Sequence, residues 1–483
     1  MLGAYQLQAK KYKRTTLLCV FLGAILAGVG LAKIAPTLSG GWPIVVGIAA
    51  VASIRRRNIV TVYLLVLFGV AVGCQRGGVM QAQVAPYGQL TNKTVTVQIV
   101  ADSSAVYNQT TQLEFDASHV KLLVPYQQSL PGRMVIAGFG SNSILRGDVV
   151  QVTGKMRPRR GGKQAGISFA RITMVSRSSS VIEKLRRDFL AGLATALPEP
   201  HDQFAAGLLI GQRSEIPQYV STTLQVVGLS HVIAVSGYNL TILADVSKKR
   251  FGKKSKFRGT VLGLSLVFLF VLFAGSSASI ARAAFVSVLS IVATHYGRQV
   301  KPLLLILLAA ATTAYLNPLN VWGDIGWYLS FLAFFGVLVI APILQKRFFV
   351  KREPGLLASI LLETSSAQIM TIPIMLFIFG QLSLVSLVSN ILVVPLVPIA
   401  MLFSFIAGLA GMLVPTLAGI IAWPAKIVLS FMLQISSLLA QVPHAMVQTS
   451  ITTGTMLALY GSIILFALLL YKKGRTSVKI GAE

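Results

Sequence analysis

Polar positions are rare along most of this chain, and where they occur they come in islands. Apolar runs fall at about 17–35, 42–54, 59–74, 224–246, 260–274, 278–295, 302–316, 325–344, 356–379, 396–414, 417–440 and 452–471. A helix needs ~20 apolar residues to cross the hydrocarbon core, so the pattern predicts an α-helical polytopic membrane protein of about 12 spans. The stretch 382–415 is too long for one span, and Pro395 and Pro398 interrupt it. It reads as a re-entrant half-helix over 382–394, followed by a full span.

Between 75 and 197 the period switches from helical to alternating. KTVTVQIVAD from Lys93, TQLEFDASHVKLLV from Thr111, RMVIAGF from Arg133, DVVQVTGKMR from Asp148 and GISFARITMV from Gly166 read as strands. Turn formers separate them: Pro131-Gly132, Arg146-Gly147-Asp148 and Gly161-Gly162. Such short strands, five in roughly 100 residues, fit a small closed barrel of the OB type. A sandwich fits the same periodicity. The following stretch, 181–196, carries Lys184, Arg186 and Arg187 with Val181, Leu185, Phe189 and Leu193, and reads as an interfacial helix. The expected organisation is N-terminal transmembrane helices over 1–75, an OB-like β domain over 76–180, interfacial helices over 181–222, a large transmembrane domain over 223–472 and a tail over 473–483.

Charge orients this arrangement. The formal net charge is +29, from 43 Lys plus Arg against 14 Asp plus Glu. Lys10–Arg14, Arg55–Arg57, Lys248–Arg258, Arg298 with Lys301, Lys346–Arg352 and Lys472–Lys479 all fall on one side of the alternation, which makes that side cytoplasmic. A multi-pass protein of the cytoplasmic membrane is expected, with both termini in the cytoplasm and the β domain outside. The basic N-terminus runs into 15–31, which reads as a retained first helix rather than a cleaved signal.

The β domain is itself basic. Lys155, Arg157, Arg159, Arg160, Lys163, Arg171 and Arg177 cluster around its last two strands. The topology rule does not account for them outside the cytoplasm. A basic OB-like face with aromatics such as Phe139 and Phe169 suits single-stranded nucleic acid, phosphates meeting cations while bases stack on rings. An anionic lipid surface suits the same charge. The candidate DNA-binding residues are Lys155, Arg157, Arg159, Arg160, Lys163, Phe169 and Arg171.

The polar islands come next. VGLSHVIAVSGYNLTIL from Val227 sets Ser230, His231, Ser236, Tyr238, Asn239 and Thr241 where lipid favours Leu. Such residues face a bundle interior or a water-filled path. GSSASIARAAF from Gly275 places Arg282 one turn into a span, beside a face of small residues. Its expected partner is a structural carboxylate, Asp324 or Glu363, or else a passing phosphate. NPLNVWGDIGWYLSFLAFFG from Asn317 and the stretch from Ser365 add Gln368, Pro373, Asn390 and Pro395 at membrane depth. Broken helices there line a cavity or pack in protein. The candidate channel-lining residues are Ser230, His231, Ser236, Tyr238, Asn239, Arg282, Gln368 and Asn390.

Other chemistry is not evident. FGKKS at Phe251 lacks Walker A spacing. The histidines, at 119, 201, 231, 295 and 444, form no paired metal motif. Cys19 and Cys74 read as small buried hydrophobes. Neither a cofactor nor an enzymatic activity is expected.

In their order and spacing these islands resemble the ComEC-type competence proteins, the membrane channels of natural DNA transformation. GLSHVIAVSGYNLTIL is similar to that family's hallmark helix, and GLLIGQRSEIP from Gly207 to its Gly-rich segment. GSSASIARAAF, the Asn317 island and the stretch from Gln368 to Pro395 also match. The resemblance implies a channel for single-stranded DNA translocation across the cytoplasmic membrane. It also implies a separate DNA receptor, nuclease and cytoplasmic ATP-driven translocase as partners, besides membrane lipid. Many members continue into a metallo-β-lactamase-like domain with an HxHxDH motif, and that domain is expected to be absent here. Tyr238-Asn239 stands where the family more often has Leu-His. The rival expectation is a small-solute or ion transporter with a regulatory extracytoplasmic β domain. The oligomeric state is left open.

Overall fold

The structure, a computed structural model, describes residues 11–34, 42–107, 112–140, 144–158, 161–212, 216–233, 256–274, 278–298, 301–349 and 355–480. Its N-terminal helices are α1 (Arg14–Leu31), α2 (Trp42–Ser53) and α3 (Ile59–Leu90). Asn58 caps α3, its side chain accepting from the Thr61 amide at 3.0 Å, which satisfies one orphan donor of the first turn. α3 presents Gly69, Gly73 and Gly77 on one face. A Cβ at Gly69 would stand 2.7 Å from that of Ala24, and one at Gly73 only 2.7 Å from the Val29 nitrogen. Bare backbone therefore lets α1 and α3 approach closely. The far end of α3 leaves the bundle, and Tyr87 and Leu90 are buried in the core of the β domain.

That domain comprises β1 (Thr94–Ala101), β2 (Val106–Tyr107), β3 (Leu113–Val124), β4 (Gln128–Leu130), β5 (Met134–Gly140), β6 (Val149–Arg157) and β7 (Ala165–Ser176). The order is β1-β6-β7-β5-β3-β2, with β4 on β3. β1 pairs with β3 as well as β6, and β5 runs parallel to β7. Alternation fills the interior with Val95, Val97, Ile99, Val150, Val152, Ile167 and Ile172. β7 carries a bulge against both neighbours: Ile136 faces Ile167 but Gly138 faces Ala170, and Lys155 faces Ser168 but Thr153 faces Arg171. Phe169 sits in that bulge with φ 54°. Gly138 and Gly154 make room for it. A Cβ on Gly138 would stand 2.8 Å from that of Ala170, and one on Gly154 would stand 2.7 Å from Ile167 Cγ2.

The rest is helical. In order come α4 (Val181–Ala196), α5 (His201–Ile210), α6 (Gln218–Val226), α7 (Ser230–Ile233), α8 (Lys256–Ala274), α9 (Ala278–His295) and α10 (Pro302–Leu316). Then follow α11 (Leu319–Gly323), α12 (Ile325–Phe335), α13 (Ala341–Phe348), α14 (Leu356–Phe379), α15 (Ser386–Val393), α16 (Val397–Leu413), α17 (Pro415–Ile421), α18 (Trp423–Ala440) and α19 (Thr453–Ile480). Among the described residues, seven helical runs are long and apolar enough to cross a membrane: 14–31, 59–90, 257–274, 325–348, 358–379, 386–413 and 423–440. Shorter apolar helices occupy 43–53, 279–295, 302–316 and 453–467. This fits a polytopic helical membrane protein. The span expected over 224–246 lies largely outside the described residues.

One element differs from expectation. The half-helix over 382–394 does not turn back. Val393, Val394, Leu396 and Val397 all keep right-handed helical dihedrals. Pro395 removes one donor and tightens a single 3-10 turn, and α15 continues into α16. α4 packs one face along α16 and leaves Val181, Lys184 and Leu185 exposed. Phe189 and Leu193 are buried with Ala400 and Ala407, and Gly192 lies directly against Gly408 and Gly411. Two further strands, β8 (Gln381–Ser383) and β9 (Met446–Gln448), pair antiparallel. The loop after α14 and the loop after α18 therefore share one end of the bundle.

Candidate nucleic-acid interface and polar interior

Pleat and bulge together decide which side chains the β domain turns outward. Lys155, Arg157, Phe169 and Arg171 are all exposed. Arg171 stands opposite Thr153 on β6 and opposite Phe139 on β5. Phe139 and Phe169 are 51% and 67% exposed. Arg171 paired with Phe139, Phe169 two residues before it, and Lys155 and Arg157 on the next strand put charge and open aromatic surface on the same strands. Lys163 is engaged elsewhere: its Nζ lies 2.7 Å from Asp116 Oδ1, tying the β6–β7 loop to β3. Arg177 pairs with the buried Asp148 at 2.9 Å. Arg159 and Arg160 lie outside the described residues.

The β6–β7 loop also touches the bundle. The Gly162 carbonyl accepts from Asn317 Nδ2 at 2.9 Å. A Cβ on Gly162 would stand 2.9 Å from Asn320 Oδ1 and 3.1 Å from Asp324 Oδ2. Asn320 Nδ2 donates to the Thr313 carbonyl at 3.1 Å, and Asp324 caps α12 by accepting from the Trp327 amide at 3.1 Å. α3 joins the same seam, where Arg76 donates to the carbonyls of Tyr315 at 2.7 Å and Leu316 at 2.8 Å. Sequence reasoning singled out this island but assigned Asn317 and Asn320 no role. The legible signal is N-P-L-N after an apolar run, since Asn favours turns and caps.

Arg282 is buried against α12. Its Nη2 donates to the Gly326 carbonyl at 3.0 Å and to Ser330 Oγ at 2.9 Å. These contacts replace the expected ion pair: Asp324 serves as a helix cap and Glu363 is exposed on α14. Arg282 Nε and Nη1 have no hydrogen-bond partner among the described residues.

The other lining candidates meet on a different set of helices. Gly228 takes φ 75° after α6, and a Cβ there would stand 2.6 Å from that of Ser386. Ser389 Oγ donates to the Val227 carbonyl at 2.6 Å, Gln225 Nε2 to Gln381 Oε1 at 3.1 Å, and Gln368 Nε2 to Ser386 Oγ at 3.2 Å. The islands from Val227 and from Ser365 thus form one polar interior. Asn390 is buried in it, and among the described residues its Oδ1 and the buried hydroxyls of Ser366 and Ser404 have no partner. Ser230 and His231 are both exposed. His231 Nδ1 donates to the Gly228 carbonyl at 3.1 Å. Ser236, Tyr238 and Asn239 lie outside the described residues. Ser386 and Ser389 were missed from sequence, though Ser383, Ser386 and Ser389 recur every third residue in an apolar run. Among the described residues, no group of three or more His, Cys, Asp or Glu could hold a metal.

Residues 208–474 match the family model described as Competence protein. Over 227 residues the chain is 27% identical to ComE operon protein 3 of Bacillus subtilis (strain 168). That match covers 46% of this chain and 28% of the relative's length. No solved structure matches. The family match begins within α5 and ends within α19, taking in Arg282 and the whole polar interior, and the chain belongs to the competence protein family.

Proposed function

We propose that this chain conducts single-stranded DNA across the cytoplasmic membrane during natural transformation. The observation that carries the reading is the exposed face of Phe139, Phe169, Arg171, Lys155 and Arg157. Stacking on a ring contributes about 1–3 kcal/mol per base and tolerates any sequence, while cations follow the backbone. The same pairings support an OB-type barrel, because β1, β3, β5, β7 and β6 each pair with two neighbours in a ring. The β domain would receive DNA outside, and the polar interior around His231, Gln368 and Asn390 would pass it inward, with both termini in the cytoplasm. Membership of the competence family supports the cargo. Drive and strand separation would come from partners: a DNA receptor, a nuclease and an ATP-driven translocase.

The test uses the full chain in lipid nanodiscs with a labelled single-stranded oligonucleotide. Affinity should fall with salt, at a slope of about 0.7 per phosphate contact. Replacing Arg157 and Arg171 by Ala should flatten that slope by roughly 1.4, at about 0.7 for each lost contact. In cells, His231→Leu should block entry of labelled DNA while surface binding and expression persist, because an apolar wall offers passing phosphates no partner. Salt-independent binding, or unimpaired entry in the His231 variant, would remove the reading.

A further inference from the structure

A second charged site lies where the chain passes from the β domain into α4. Asp148 is fully buried and fixes the loop before β6, accepting from the amides of Leu145 at 3.0 Å and Ser178 at 3.1 Å and from Arg177 at 2.9 Å. The loop thereby presents Arg146 to the first turns of α4. Arg146 Nε lies 3.4 Å from Glu183 Oε1, and Arg186 Nη1 lies 3.8 Å from Glu183 Oε2. Arg187 Nη2 donates to the Ser178 carbonyl at 3.2 Å. Two guanidinium groups thus share one carboxylate. Among the described residues, Arg146 Nη1, Arg186 Nε and Arg187 Nη1 are buried with no acceptor, and Arg186 as a whole is 6% exposed. A buried charged donor without a partner is costly, so the site calls for an oxyanion.

The cleft beside them holds about 240 Å³ and has two unlike walls. One carries Arg146, Ser180 and Glu183 with Ile182 among them, and the other Phe268, Val271 and Leu272 of α8. Phe268 is 68% exposed on a helix apolar enough to cross a membrane. We propose that this cleft binds an anionic phospholipid, its phosphate on Arg146 and its chains along α8. Phosphate matches guanidinium geometry and can be held by two parallel bonds. The arginine excess over Glu183 selects a negative headgroup over a zwitterionic one. Nucleic acid and free phosphate both offer the oxyanion, but neither uses the wall of Phe268. A bound lipid would brace the joint by which the β domain hangs from the bundle.

The test uses the full chain, purified in detergent and stripped of lipid. Native mass spectrometry and thermal unfolding are followed with phosphatidylglycerol, phosphatidylcholine of the same chains, inorganic phosphate, or a single-stranded oligonucleotide. Phosphatidylglycerol should be retained roughly tenfold better than phosphatidylcholine, a ratio equal to one charge-assisted bond. Arg146→Ala should abolish that preference. Phe268→Ser, an exposed change that the fold tolerates, should weaken retention of both lipids. Equal retention of the two lipids, or a preference unchanged in Arg146→Ala, overturns the proposal. Stabilisation by inorganic phosphate as strong as by lipid would make this a free-anion site. Displacement of phosphatidylglycerol by the oligonucleotide would make it a nucleic-acid site.

Discussion

The contact of α4 with α16 tests whether bare backbone holds the bundle to the β domain. In Gly192→Ala the new Cβ would stand 2.5 Å from the Gly408 carbonyl oxygen and 2.8 Å from the Met412 nitrogen. Ordinary contact begins near 3.4 Å, so about 0.9 Å must be recovered. Neither obstructing atom can rotate aside, because both belong to the α16 main chain. The helices must part, and Phe189 and Leu193 must part with them. Overpacking of this kind costs about 1–3 kcal/mol. Against it stands the helical advantage of Ala over Gly, about 0.5–1 kcal/mol. The net expectation is a loss of roughly 0–2.5 kcal/mol by these two effects, against no loss at an open helical glycine. Gly23 and Gly461 are helical glycines with nothing near a built Cβ, so Gly23→Ala and Gly461→Ala should be neutral or stabilising. Heat challenge followed by fluorescence-detected size exclusion reads all three in detergent. A Gly192→Ala protein as heat-resistant as the two controls would refute the close-packing argument.

Further outcomes follow from the same geometry. Lys163→Ala should leave the salt slope of DNA binding nearly unchanged, because Lys163 is held by Asp116, whereas Arg171→Ala should flatten it by roughly 0.7; anisotropy titrations at several salt concentrations compare the two. Gly162→Val should unseat the β6–β7 loop from Asn317 and Asn320, and labelled-DNA assays in cells should find entry reduced with surface binding kept. Ser389→Ala deprives the buried Val227 carbonyl of its donor, which costs about 1–3 kcal/mol and should lower the yield of folded protein on size exclusion; retained yield would mean that water replaces the hydroxyl.

Period and hydropathy made much of this fold legible. The alternation from Lys93 to Val175 announced the β domain because one face of each strand had to be buried. Ring order and the parallel β5–β7 pair were not legible, since pairing partners are chosen by tertiary packing. α4 was legible only in part. Lys184, Arg186 and Arg187 suit an interface, and Gly192 opens a flat face that lets the helix lie along α16. Pro395 misled: a proline inside a helix removes one hydrogen bond, and the backbone absorbed that in a single 3-10 turn.

The polar interior shows where sequence reasoning stops. Hydropathy finds the polar side chains at membrane depth because lipid punishes them. It does not find their partners, several of which in this bundle are main-chain carbonyls. Each helix ends with carbonyls that have no partner within the helix. Here Trp322 Nε1 donates to Val29, Arg76 to Tyr315 and Leu316, Asn320 to Thr313, and Ser389 to Val227. All five acceptors lie in the last turn of α1, α10 or α6, or just beyond it. A carbonyl has no residue identity, so any sequence can supply one wherever a helix stops. The donors are therefore readable and the acceptors are not, and Arg282 shows the consequence. The obvious carboxylate, Asp324, was the expected partner by charge. The guanidinium instead uses a carbonyl of α12 and the Ser330 hydroxyl, leaving Asp324 to cap that same helix. The carboxylate thus acts at the first turn, where the helix dipole favours a negative charge.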